Sequence, residues 1–191
     1  EWRGETSEGD RLWLEATLTP AEINGEQRVL SIQRDITERK RRQRAIKALQ
    51  AATERLEAAT TPERVATIAV ETVSEVLGFT EATCWFHDEE AACLEPVAGT
   101  DSVSNTDLGS ELPADCYEYD VFLEGAVAEY TPSECTRDSL FETGVLLPLG
   151  EHGLVAATAQ DESRIDEVTL DISKALSDHV TTALDRVERA Q

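Results

Sequence analysis

The chain has 191 residues, 40 % of them hydrophobic, and a formal net charge of −22 from 39 Asp plus Glu against 17 Lys plus Arg. That composition is too apolar for a disordered chain and supplies one core of ordinary size. It lacks an apolar run long enough to cross a membrane, and a dispersed acidic surface repels nucleic-acid phosphates.

The acids are spread along the whole sequence, and Lys40, Lys47 and Lys174 are its only lysines. Such a surface suits a salt-rich cytoplasm, where the Debye length at about 1 M is roughly 3 Å and self-repulsion is screened. The sequence starts at Glu1 and contains no Met, so it is expected to be a piece of a longer cytoplasmic protein. Cys84, Cys93, Cys116 and Cys135 show no C-x-x-C spacing, and His87, His152 and His179 are not paired at ligand spacing. No metal site is predicted, and reduced thiols are expected.

Residues 1–36 read as β-structure. In RLWLEATLTP, Leu12, Leu14, Ala16 and Leu18 face one way, while Trp13, Glu15 and Thr17 face the other. Asn24-Gly25 signals a hairpin into RVLSIQRD, and EWRGET with the turn SEGD adds a third strand. A meander this small closes no core of its own, so Leu12, Leu14 and Leu18 require a cover.

From Glu38 the period becomes helical. Asp35 and Glu38 form a loose capping box with Asp35 as N-cap and Thr37 as its competitor. Ala45, Leu49, Ala52, Leu56 and Ala59 recur at 4-3-4-3 spacing, the seam of a short parallel coiled coil, which predicts a homodimer. The same stripe could instead pack on its own domain. The basic run Arg39 to Arg44 opens this linker helix, residues 38–60, as a solvated face or one drawn to acidic neighbours.

Thr61-Pro62 restarts a helix whose broad apolar face runs from Val65 to Leu77 and ends at Gly78. FTEATCWF and CLEPVAG follow as antiparallel strands, and residues 100–116 read as loop. CYEYDVFLEG predicts a short helix and AVAEY a short strand. GVLLPLG and GLVAATAQ form a hairpin about GEHG, and a last helix starts near Asp166 with His179 on one of its faces.

Residues 1–37 resemble the C-terminal strands of a PAS domain, above all in the string RDITERK. The resemblance implies that Asp35 and Thr37, with Glu38 beside them, couple the last strand to the signalling helix. Residues 61–189 resemble a GAF domain, with VLLPLGEHGLVAAT the most telling stretch. The combination is similar to haloarchaeal regulators of the bacterio-opsin-activator type and to haloarchaeal sensor histidine kinases. The implied fold is α+β: an antiparallel GAF-like sheet flanked by helices, behind a three-stranded PAS remnant and a long linker helix. The implied role is a non-enzymatic sensory and dimerisation segment, with a helix-turn-helix or kinase output elsewhere in the protein.

A GAF pocket would draw on Phe86, Tyr119, Phe122, Val145 and Leu147, with Trp85 on the other face of its strand. A small-molecule ligand is compatible with this, but no cofactor is named by it. Two thiol alternatives draw on Cys116 and Cys135: a redox switch, and an enzyme similar to a GAF family that reduces free methionine sulfoxide. Its motif stretches are absent, and the acidic neighbours Asp115, Glu118 and Glu134 disfavour a reactive thiolate.

Overall fold

The computed structural model describes residues 2–5, 11–24, 26–79, 81–100, 111–130, 143–159 and 165–190. The chain divides into two compact units, Glu1–Ile46 and Lys47–Gln191. The boundary falls inside the helix of residues 37–58.

The first unit is an antiparallel meander of β1 (Trp2–Glu5), β2 (Arg11–Ile23) and β3 (Glu26–Asp35) in the order β1-β2-β3. Leu14 pairs with both Trp2 and Asp35, which fixes the register on either side of the central strand. Asn24 turns the hairpin with φ 54°, the left-handed geometry that Asn tolerates. The long helix α1 (Thr37–Ala58) follows. Ile36 donates its N–H to Trp13 O at 2.8 Å, and its carbonyl accepts from Lys40 N at 3.0 Å. The cap position therefore falls on Ile36, not on Asp35 or Thr37 as predicted. Asp35 instead accepts the N–H of Thr37 from one residue earlier, at 2.8 Å.

The second unit is built on a six-stranded antiparallel sheet. Its strands are β4 (Glu81–Asp88), β5 (Cys93–Gly99), β6 (Leu112–Pro113), β7 (Ala128–Tyr130), β8 (Thr143–Pro148) and β9 (Gly153–Ala159). They lie in the order β6-β5-β4-β9-β8-β7. The two-residue strand β6 lies in a stretch predicted as loop. Helix α2 (Pro62–Leu77) begins as its sequence requires: the Thr61 side chain accepts from Arg64 N, Pro62 opens the first turn, and Gly78 ends it at φ 73°. Helix α3 (Tyr117–Glu124) is short, and α4 (Glu167–Glu188) is capped by Asp166.

Two apolar layers cover the sheet. On one face Cys84, Val145, Leu147, Val155 and Ala157 pack with Val65, Ile68, Ala69 and Val73 of α2 and with Leu176, Val180 and Leu184 of α4. Leu56 of α1 and Ala59 just after it belong to this core, and Leu49 packs against it. The seam predicted to join two chains is thus filled, over these residues, by the chain's own core. Ala45 and Ala52 are buried as well. The heptad spacing was real, but a 4-3-4-3 stripe does not say whether its partner helix lies in the same chain. Arg186 of α4 donates to the carbonyls of Leu56 at 2.7 Å and Ala59 at 3.0 Å, satisfying the end of α1. Thr53 Oγ1 lies 2.9 Å from His179 Nδ1, which gives that histidine a structural place.

The β8–β9 turn is held from three sides. His152 is buried at 9 % exposure, its Nε2 2.7 Å from Asp185 Oδ1 and its Nδ1 3.3 Å from Glu188 Oε1. Its carbonyl accepts from His87 N at 2.8 Å. Gly153 has φ 154°, and a Cβ there would collide with the Trp85 carbonyl, so only glycine lets β9 approach β4 so closely.

Candidate functional site

The second layer of the larger unit lies between the sheet and α3, on the face away from α2 and α4. Strand alternation decides its membership. Trp85 pairs with Leu154, and Leu146 with Ala156, so these four point to the α3 side. Leu94, Leu112, Cys116, Tyr119, Val121 and Phe122 complete the cluster. Phe86, Val145 and Leu147, each one residue away along its strand, point into the α2–α4 core. Of the five predicted pocket positions, the structure brings Tyr119 and Phe122 together and puts the other three on the opposite face. Trp85, assigned to the other face by sequence, stands with Tyr119 and Phe122.

The layer is lined by rings. The Tyr119 and Phe122 ring centroids are 5.6 Å apart in an edge arrangement, and His87 lies 4.8 Å from Phe122. His87 Nε2 is 3.0 Å from Tyr119 Oη, which engages the hydroxyl. Neither His87 nor Glu118 was a predicted site residue.

On the elements that form this layer, two buried polar atoms have no hydrogen-bond partner among the described residues. Trp85 is 5 % exposed and its Nε1 is unpaired; Glu118, on α3, is 5 % exposed and its Oε2 is unpaired. Each buried unmet group costs about 1–3 kcal/mol, and more where it is charged. The Cys116 thiol lies against the Glu118 carboxyl. Burial first of all, and the Glu118 charge and hydrogen bond after it, push that thiol up to about 11; the backbone N–H groups of Tyr119 and Glu118 oppose the shift. Burial alone pushes Cys84 to about 12. These two thiols remain protonated and weakly nucleophilic at neutral pH. Cys135, the other half of the predicted redox pair, lies outside the described residues.

The predicted coupling residues sit at the start of α1. Thr37 Oγ1 accepts the N–H of Trp13 at 2.8 Å, tying the helix start to β2. Two hydrogen bonds from Thr37, side chain then backbone, hold the Asp35 carboxyl below its usual range. Glu38 pairs with Arg42 at 2.9 Å on an exposed face. The basic run is used locally: Lys40 and Arg44 lie over the Trp13 ring at 5.2 Å each, joined by Arg3 at 4.9 Å, and Arg39 meets Glu15 at 3.3 Å. Unit Glu1–Ile46 carries nine basic and nine acidic residues, whereas Lys47–Gln191 carries eight and thirty. The whole net charge therefore belongs to the second unit.

No protein-family model matches the sequence, and no curated protein does either. Solved structures do match in fold. The GAF domain of an Acinetobacter phosphoenolpyruvate-protein phosphotransferase superposes with a TM-score of 0.67 at 9 % identity, over 76 % of this chain and 95 % of that one. A Neisseria meningitidis free methionine-R-sulfoxide reductase gives 0.66 at 13 % identity, over 77 % and 92 %. The GAF domain of a putative sensor histidine kinase from Pseudomonas syringae gives 0.58 at 12 % identity, over 80 % and 93 %. Enzyme and sensor share this architecture, so it fixes the fold and not the chemistry. A helix-flanked antiparallel sheet in the order β6-β5-β4-β9-β8-β7, with a short helix over its far face, is the GAF fold.

Proposed function

We propose that the chain is a non-enzymatic sensory segment of a signalling protein, in which the larger unit reads a small molecule and α1 carries its state. The observation that carries this reading is the ring-lined layer under α3, with Trp85 Nε1 buried on the sheet and Glu118 Oε2 buried on α3, neither with a partner among the described residues. A layer with unmet polar atoms gains from a ligand that meets them. The core on the other face contains the end of α1, so a change at the sheet bears directly on that helix. GAF domains of sensor proteins among the solved structures favour the same reading.

The reductase alternative needs a thiolate near neutral pH, and a Cys116 thiol pushed up to about 11 argues against it. Two finer parts of the proposal concern the rest of the protein. We read β1–β3 as the end of a PAS domain; exposed Trp2, Leu18 and Val29 are what a sheet taken from a larger core would present. The output is a covalently linked helix-turn-helix or kinase module in a haloarchaeal cytoplasmic protein, working as a homodimer. Light scattering in molar KCl reads the dimer.

The sensory reading is tested with a low-molecular-mass filtrate of cell extract added to the full chain. The melting temperature should rise, and hydrogen exchange should change in both α3 and α1. A filtrate that alters neither refutes it.

A further inference from the structure

We propose that His152 is a pH-operated catch: doubly protonated, its ring holds Asp185 and Glu188 together and fixes the end of α4 that grips α1, and the neutral ring lets Glu188 go. The proposal is independent of the layer under α3. It starts from the two acceptors that face the two ring nitrogens, Asp185 Oδ1 at 2.7 Å from Nε2 and Glu188 Oε1 at 3.3 Å from Nδ1. A neutral imidazole has one N–H and one bare nitrogen, whereas the imidazolium has two N–H groups. An ionised carboxylate only accepts, so the neutral ring suits one of these neighbours and sets a lone pair against the other. The His152 side chain is 6 % exposed, which leaves water little room to mend the mismatch.

Acids dominate around the ring. The Asp185 carboxyl is held below its usual range, first of all by the His152 hydrogen bond. Arg189 reaches the other oxygen, Asp185 Oδ2, at 3.0 Å from an exposed position. Glu151, next to His152 in the chain, is exposed. On β4 the neighbour is His87, which donates its backbone N–H to the His152 carbonyl while its ring is engaged by Tyr119. The rest of the turn is pinned along the same face of α4. Ser177 donates to the Pro148 carbonyl, and a Cβ at Gly150 would stand 2.9 Å from Thr181 Cγ2. Ser177, Thr181, Asp185 and Glu188 follow at spacings of four, four and three, one stripe of the helix. Ser177 and Thr181 do not titrate, so it is the last turn of α4 that answers to the ring. Arg186 lies in that turn and donates to the Leu56 and Ala59 carbonyls. The state of His152 thereby reaches the end of α1.

The test follows the full chain by NMR in molar KCl from about pH 5 to about pH 9. The His152 ring nitrogens report its titration and are assigned by their loss in His152→Gln. Amide protection at Val187 and Ala59, corrected for the intrinsic exchange rate, reports the two helix ends. Both protections should fall about tenfold, equivalent to about 1.4 kcal/mol, at the midpoint of the His152 titration. In Glu188→Gln the side-chain amide serves either state of the ring, as donor or as acceptor, and residue 188 is exposed enough for the fold to keep the change. The ring should then titrate with no step in protection. His179 touches α1 at Thr53, so His179→Gln is the control and should keep the step. A ring that does not titrate in this range overturns the proposal, as do protections that stay level across its midpoint. So does a step that survives Glu188→Gln or disappears with His179→Gln.

Discussion

Leu56→Ala separates a seam within the chain from a seam between chains. Leu56 is 2 % exposed and belongs to the core shared by α1, α2 and α4. Truncating a leucine so placed costs about 3 kcal/mol, the lost transfer energy plus the cavity left behind. For a domain of roughly 150 residues that lowers the melting temperature by about 10 °C. The assay is thermal and urea unfolding in molar KCl over a wide range of protein concentration. In an intramolecular core the loss is the same at every concentration. In an intermolecular seam it grows on dilution, because folding and association are then linked. A loss below about 1 kcal/mol, or one that depends on concentration, would refute the packing argument.

Three further outcomes are expected. The Asp185 carboxyl is held below its usual range by the His152 hydrogen bond first, with the charges of His152 and Arg189 adding to it, against the effect of burial. Its folded pKa thus lies below its unfolded value, so its contribution is full above the unfolded pKa near 4 and is lost as pH falls through the folded one. Asp185→Asn should destabilise the chain at pH 7 and make little difference near pH 2; an equal effect at both pH values would contradict this. Alkylation of Cys116 by iodoacetamide should be slow at pH 8 and rise towards pH 11, and rapid labelling of the folded chain at pH 7 would reopen the redox reading. Dialysis from molar KCl to about 50 mM should cost the larger unit its cooperative melt, because its thirty acids face only eight basic residues; an unchanged melt would sink the halophilic reading.

Most of the fold was legible because its boundaries carry local chemistry. Thr61-Pro62 and Gly78 frame α2, Asp166 caps α4, and the apolar strands show their length directly. The candidate site was less so, for a physical reason. TCWF and VLLPL are apolar on both faces, since both faces of the sheet are covered, and alternation then gives no phase. The phase guessed for Phe86, Val145 and Leu147 was one residue out. Glu118 is one acid among many, and nothing local marks it as buried. His152 sits in a Gly-flanked turn that reads as solvent-exposed, and only the approach of α4 covers it. Whether Leu56 found its partner helix in its own chain was a tertiary question from the start.

The clasp of Arg186 on the end of α1 has an electrostatic side. Thr53 meets His179 while Leu56 and Ala59 meet Arg186, so the two helices run in the same direction. Parallel helices set their dipoles side by side and bring two negative ends together, an arrangement that repels itself. The larger unit has few cations, and three of them stand where those ends meet: Arg55 on α1, paired with Glu71, then Arg186, and Arg189 on Asp185. Dissolved salt screens exposed carboxylates well but cannot enter between helix ends to bond carbonyls. Of the three, Arg186 is the one bonded to carbonyl oxygens, so there the backbone itself is the anion.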